Sequence, residues 1–543
     1  GQTVSDRQVL NLGPFEVRYN ENRSFFLEGT DLFQIGNVFY SRRVGGNPHN
    51  QNGVYGEIDS DKGEEVLSNP NESPLINATK ISGRTTSGLG IGVFNAVEGQ
   101  TFSLYRDSLG IERKYLSNPL TNYNVLVLSQ NLKNNSKVSF VNTNVLRNGA
   151  ARDANVSVFE TSLFSKDRAY KIDGSVKFSS LFEDSLPVNG HAFSTSLSKV
   201  SGNFGYSLRY SETSDSYDPN DMGFLYNNNV RSYGASIRLN DFDGGKYFLR
   251  KWSNFNVYYE ELYKPQLFSY LNIDWSLAGT MKNFLTWGLS GDINPAGGVD
   301  HFESRVFGRE TFNEANFSVG GFYSSDYSKA FALDFRPSYR FYQGTGRNSW
   351  SLNVSPRVRL SDRIFLVWGT NFNRIYQDFG YVSHLDDNFI DEIILGVRNR
   401  TIIENSLRSE IIFTKRMGVN IQLRHYWQQV EYTGFNELLY EGAMIDSEYD
   451  PIDENGNSLH NTNFNAFTLD VNYRWVFFPG SELRVVYKNN IFHAKSDLEE
   501  VYFDTFNTLF DQPQINSISM KLLMFIDAIY FRRKDKAQKK ELN

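Results

Sequence analysis

Apolar and polar residues alternate down this chain in some twenty stretches, most of them 10–15 residues long, from about residue 76 to residue 531. Residues 347–361 show the pattern. Trp350, Leu352, Val354, Pro356, Val358 and Leu360 fall on one face, and Ser351, Asn353, Ser355, Arg357 and Arg359 on the other. A period of two is the signature of a β-strand, because successive side chains point to opposite faces. Strands of soluble proteins average about 5–6 residues, whereas crossing a bilayer takes about 9–11 tilted ones. Long, two-faced strands repeated this often point to an all-β fold, a large transmembrane antiparallel β-barrel.

The rest of the composition fits that reading. No run of about 18 apolar residues could form a membrane helix. Aromatic residues make up 15% of the chain, which suits interfacial girdles. A net charge of -7 argues against a nucleic-acid partner. There are no cysteines, hence no disulfide, thiolate metal site or cysteine nucleophile. Export to an outer membrane requires a secretion signal, and Gly1 reads as a start after its removal.

Turns of two kinds alternate. Tight ones fall at Asn134-Asn135, Lys166-Asp167, Ser201-Gly202, Gly279-Thr280 and Pro479-Ser481, among others. Long connections fall at 108–121, 213–228, 294–310, 378–400, 431–463 and 494–513. Short turns at a periplasmic rim and long loops outside are the bacterial outer-membrane arrangement. The count is 22 strands, within a range of 18–24, and it includes 100–107 as a barrel strand. An even count with the N-terminus in the periplasm makes the first strand run outward and the last return. Residues 389–401 also read as strand and are placed in an extracellular hairpin extension. Three regions result: a head (1–75), the barrel (76–531) and a basic periplasmic tail (532–543). The head is rich in Gly, Asn, Pro and Arg with no sustained period, and is expected as a plug or periplasmic segment.

Three stretches carry a family resemblance. The first holds Pro14, Phe15, Glu16, Arg23, Phe25, Phe26, Leu27, Glu28, Gly29, Phe39, Tyr40, Ser41, Arg42 and Arg43. The second reads Lys80-Ile81-Ser82-Gly83-Arg84-Thr85, then Gly90 through Ala96, and the third runs from Tyr217 to Leu225. They resemble an uncharacterised family of Gram-negative outer-membrane β-barrels, whose members usually carry an N-terminal domain like carbohydrate-binding family 9. That resemblance implies the cell outer membrane and a large barrel. No such sandwich precedes Pro14 here, so a sugar-binding role gains no support from this chain.

Candidate residues follow. Arg23, Glu28, Arg42 and Arg43 are the densest charges of the head, expected to tether it to inward-facing carboxylates, with Phe25 and Phe26 as packing anchors. Asp218, Asn220 and Asp221 flank Pro219 as a loop motif, read as a turn before a cation site. Asp450, Asp453 and Glu454 are the better calcium candidates, although the Gly456 spacing is not that of an EF-hand. No histidine pair, GxSxG or P-loop stands in a credible context, so no enzyme is expected. Two functions remain: a plugged channel or transporter for small solutes, and a structural or assembly subunit of an outer-membrane complex. The expected partners are outer-membrane lipid and other outer-membrane or periplasmic proteins.

Overall fold

The computed structural model describes residues 5–525 apart from 28, 184–185 and 387–390. The chain is all-β, with short helical turns at its margins. Among the described residues, twenty-four strands make one antiparallel sheet. Three of them are short arms: Gly298–Asp300, Thr311–Asn313 and Met444–Asp446. The other 21 form a ladder in chain order from Leu75–Arg84 to Gln514–Leu523. The alternation explains the pairing. A one-residue slip would turn every apolar side chain to the wrong face, so the pattern fixes the register.

Short turns such as 85–88, 132–136, 165–169, 362–363 and 479–480 all lie on one edge of this sheet, and the long connections on the other. Three successive strands in the last third of the ladder, Ile364–Asp386, Asp391–Thr414 and Met417–Leu438, reach 22 to 24 residues and project past their neighbours on the long-connection edge. Residues 391–401 are therefore the outer half of one continuous strand, and 378–386 and 431–438 also belong to strands rather than loops.

One strand departs from expectation and changes the topology. Thr101–Arg106 does not join the ladder. It pairs with Glu112–Asn118 and with Glu65–Ser68 in a separate three-stranded sheet. The cause is local: Asp107 accepts hydrogen bonds from the backbone N–H groups of Leu109 (3.0 Å) and Ile111 (2.9 Å), closing a tight hairpin with Gly110 at φ 79°. With that strand removed, the neighbour of Leu89–Glu98 is Thr121–Asn131. The ladder count becomes odd, and Leu75–Arg84 runs from the long-connection edge to the short-turn edge. This reverses the expected direction of the first strand and brings the head in at the long-connection edge. The last strand is described as far as Leu523, and the tail at 532–543 lies outside the described residues.

The main hydrophobic core lies between the head and the first strands, not between two sheets. Phe26, Leu32, Phe33, Val38 and Val44 pack with Phe94, Ala96, Val125, Val127, Val141, Val156 and Val158. Burying each such side chain contributes roughly 1.5–3 kcal/mol. Gly36 shows how close the fit is: its φ is 75°, and a Cβ there would stand 2.9 Å from Val158.

Candidate functional site: the head-facing side of the sheet

Cross-strand register can be followed along one face of the whole ladder. Phe94 pairs with Val125, Thr143 with Val156, and Ser196 with Arg209. Farther on, Asn256 pairs with Asp274, Ser318 with Arg340, and Asp470 with Lys488. The head meets this face at the start of the ladder and near its end, and meets a long connection over its middle. At the start, Lys80 donates to the Phe25 carbonyl (2.5 Å) and Ser82 to that of Gly29 (3.2 Å). A little further, Glu160 accepts from the Gly36 N–H (3.0 Å) while Lys177 donates to the Gly36 carbonyl (2.8 Å), gripping one residue by both its backbone groups. Over the middle, the Phe15 ring lies 5.8 Å from Phe302 of the connection at 301–310. Near the end, Asp470 accepts from the Ser5 N–H (3.0 Å) and hydroxyl (2.8 Å), and Arg7 pairs with Glu404 at 2.7 Å.

The expected site residues divide into two groups. Phe26 is buried against Phe94 (6.0 Å between rings), with the Arg23 guanidinium 4.1 Å above its own ring. Phe25 is half exposed beneath the Lys80 ammonium. Arg43 ties the head to the loop at 214–229 rather than to a carboxylate of the sheet, pairing with Glu16 of the head (2.8 Å) and donating to the Gly223 carbonyl (3.2 Å). Arg23 and Arg42, by contrast, close loops within the head. Arg23 donates to Glu21 and to the Ser41 and Val44 carbonyls, and Arg42 pairs with Asp6. They shape the head rather than meet carboxylates of the sheet, because Glu21 and Asp6 are brought beside them by the head's own turns. Glu28 lies outside the described residues. Burial alone would raise the Glu21 carboxyl, but hydrogen bonds from Arg23 and Ser41 outweigh it and hold the group below its ordinary range.

The loop motif is a clasp over the head. Asp218 accepts from the Asn220 N–H (2.8 Å), and Asn220 from the Leu225 N–H (2.7 Å), so both side chains build the turn. Asp221 is buried against Arg147 (2.7 Å) and Arg152 (3.1 Å). The loop's Met222 carbonyl then accepts from the Tyr40 N–H at 2.7 Å. All three stretches that carry the family resemblance thus meet in one place. In the far loop, Asp453 accepts from the Asn455 N–H (2.9 Å), the Asn457 N–H (2.7 Å) and the Asn457 side chain (3.2 Å), again as a turn-former. Asp450 accepts from the Ile452 N–H at 3.0 Å. Among the described residues no three His, Asp or Glu side chains gather as a metal set.

Sequence reasoning missed the partners supplied by the sheet: Glu98, Glu160, Lys177, Glu404 and Asp470. Glu98 is almost fully buried and accepts from the Gly45 N–H (2.5 Å), Asn118 (3.2 Å) and Tyr123 (3.3 Å), joining head, small sheet and large sheet. The available signal was weak, a charged residue within the polar half of an alternating strand.

Between the two contact zones the face is polar and uncovered. Ser207, Arg209, Gly234, Ser236, Asn256 and Asp274 line a cavity of about 400 Å³. A second, of about 370 Å³, is bounded by Phe15 of the head and by Glu260, Tyr270, Asn294, Asn316 and Arg340. Small side chains leave this space open. Asn256 donates to Asp274 at 2.6 Å, and Arg340 pairs with Asp292 at 2.9 Å, so one carboxylate is held by an amide and the other by an ion pair.

These features define a class: an all-β protein in which one large antiparallel sheet holds an irregular N-terminal head against a single face. The chain belongs to the family described as Domain of unknown function (DUF5916), whose model matches residues 1–535. No curated protein matches it in sequence. Among solved structures it is similar to the outer membrane transporter YddB from Escherichia coli, at 7% identity and a TM-score of 0.38, over 82% of this chain and 67% of that one.

Proposed function

We propose that the sheet closes as an outer-membrane β-barrel around the head, and that the protein passes small polar solutes beside that head. The carrying observation is the uncovered polar arc. A single face meets the head near both ends of the ladder, which a sheet curled around the head accounts for. Between those contacts lie two cavities lined by Ser, Asn, Gly, Asp and Arg side chains, one of them bounded by Phe15 of the head. The opposite face carries exposed Trp275, Leu277, Trp287, Leu289, Phe317 and Trp350, as a lipid-facing surface should. The proposal assigns no catalytic step.

A second reading, a structural or assembly subunit, draws on the three projecting strands and the aromatic group of Tyr432, Phe435, Tyr449 and His460 beside them, which offer a partner a rigid platform. Single-channel conductance of the whole protein in planar bilayers separates the two. A conducting pore whose current falls at least twofold in Gly234→Trp supports passage along the arc. Position 234 has room for a side chain, with only the Arg209 Cβ (3.7 Å) and a backbone oxygen nearby. No current, together with no uptake of small polar solutes by proteoliposomes, would overturn the channel reading in favour of the platform.

A further inference from the structure

The outward face of the sheet is not apolar everywhere. Along the first seven ladder strands, one register row is polar throughout. Thr79 pairs with Asn95, Asn95 with Asn124, Asn124 with Asn144, and Asn144 with Asn155. Asn155 then pairs with Ser180, and Ser180 with Asn189. The row is tied together sideways: Asn95 donates to Asn122 (2.7 Å) and Asn124 (2.9 Å), Asn142 to Asn155 (3.0 Å) and Ser157 (2.9 Å), and Ser180 to Asn189 (2.7 Å).

Its height matters. Asn124 and Asn144 each stand seven residues from the short-turn end of their strands. At the same distance farther along the sheet stand Ile293 and Phe317, apolar and exposed. The outward apolar run from Trp350 to Leu360 spans ten residue steps. At about 3.3 Å per residue and a tilt near 40°, the apolar band is about 25 Å tall there, but only about 18 Å tall below Asn124 and Asn144. It is shorter still below Asn95 and Thr79, whereas Asn155, Ser180 and Asn189 stand nine to ten residues from the short-turn ends of their strands, near the full height. The other face of these strands completes the picture. Phe94, Val125, Val127, Val141, Val156 and Val158 are turned inward, onto the head. These strands have an apolar core on the inside and amides on the outside, the reverse of the arc at 268–361.

We infer that the bilayer is thin along the first four of these strands, and that lipid headgroups with their water descend to the row from Thr79 to Asn144. The inference rests on the membrane-spanning reading proposed above. Amides facing acyl chains would leave hydrogen-bonding capacity unmet, whereas headgroups and water satisfy it. A short apolar span is met by thinning of the membrane at modest cost. These strands do not rely on lipid for their hydrophobic stabilisation, because their core lies on the side of the head.

The absence of native cysteine allows a clean test in proteoliposomes with a membrane-impermeant maleimide. Asn124→Cys and Asn144→Cys are expected to react within about threefold of the loop position Glu441→Cys. Ile293→Cys and Phe317→Cys, at equal height, are expected to react at least tenfold more slowly until detergent is added. Thr79→Cys, exposed at the low end of the row, repeats the measurement should an inner asparagine prove needed for folding. Row positions as slow as the two controls would overturn the inference. So would protected row positions that a bifunctional maleimide links between two copies, which would assign the face to a second molecule. Fast labelling of the controls as well would instead remove the membrane-spanning reading itself.

Discussion

Asp470 and Glu404 hold the same short segment of the head with different force. Asp470 is buried and takes both the N–H and the hydroxyl of Ser5, whereas the Arg7 partner of Glu404 is more than half exposed. Hydrogen bonds to a buried charge contribute about 1.5–3 kcal/mol, exposed ion pairs about 0–1 kcal/mol. Asp470→Asn is therefore expected to speed proteolytic removal of the first residues markedly, and Arg7→Ala to change it little, as read by limited digestion of the folded protein. Glu21 adds a pH dependence. Its carboxyl lies below its ordinary value in the folded protein, so the stability it contributes is complete above about pH 4.5. That contribution is lost as pH falls through the depressed value. Melting temperature should drop between pH 5 and pH 3 in the native protein, and Glu21→Gln should start lower at pH 7 and fall less. Equal slopes for the two proteins would remove Glu21 from the account.

At the scale of elements, the clasp at 214–229 depends on Asp221. Breaking one partner of a buried ion pair costs about 3–5 kcal/mol, because it strands the other charge. Asp221→Asn is expected to open the loop to protease while leaving strand content by circular dichroism unchanged. Loss of strand content would show that the clasp belongs to the core. This is also the scale at which the sequence was most legible. Strands such as 347–361 announced themselves because each has one buried or lipid-like face and one polar face, and the period of two records that difference. Residues 100–107 alternate equally well, with Phe102 and Leu104 against Ser103 and Tyr105, since a strand in a small sheet obeys the same rule. Only the hairpin at Asp107 and Gly110 distinguishes it, and a turn signal of four residues is easily read as part of a long loop. The head was opaque for another reason. Its partners, such as Glu160 for Gly36 and Asp470 for Ser5, lie far along the chain, and no local period encodes them.

For the whole molecule, the head supplies the apolar half of the core of the first strands. Phe26→Ala should therefore act at a distance. Large-to-small changes of a buried Phe cost about 3–5 kcal/mol. Hydrogen exchange is expected to quicken together across 75–183 and to remain as before across 248–361. A uniform change over both regions would mean that the sheet opens as one unit. The same arrangement limits how any passage through the protein can be switched. A stopper that is pulled out and put back must leave the walls intact behind it. Here withdrawal would strip the hydrophobic lining from half a dozen strands, and the vessel would lose its shape along with its stopper. In the channel reading proposed above, control of flow would thereby be confined to small sideways adjustments along the polar arc, with the head standing as a fixed pillar.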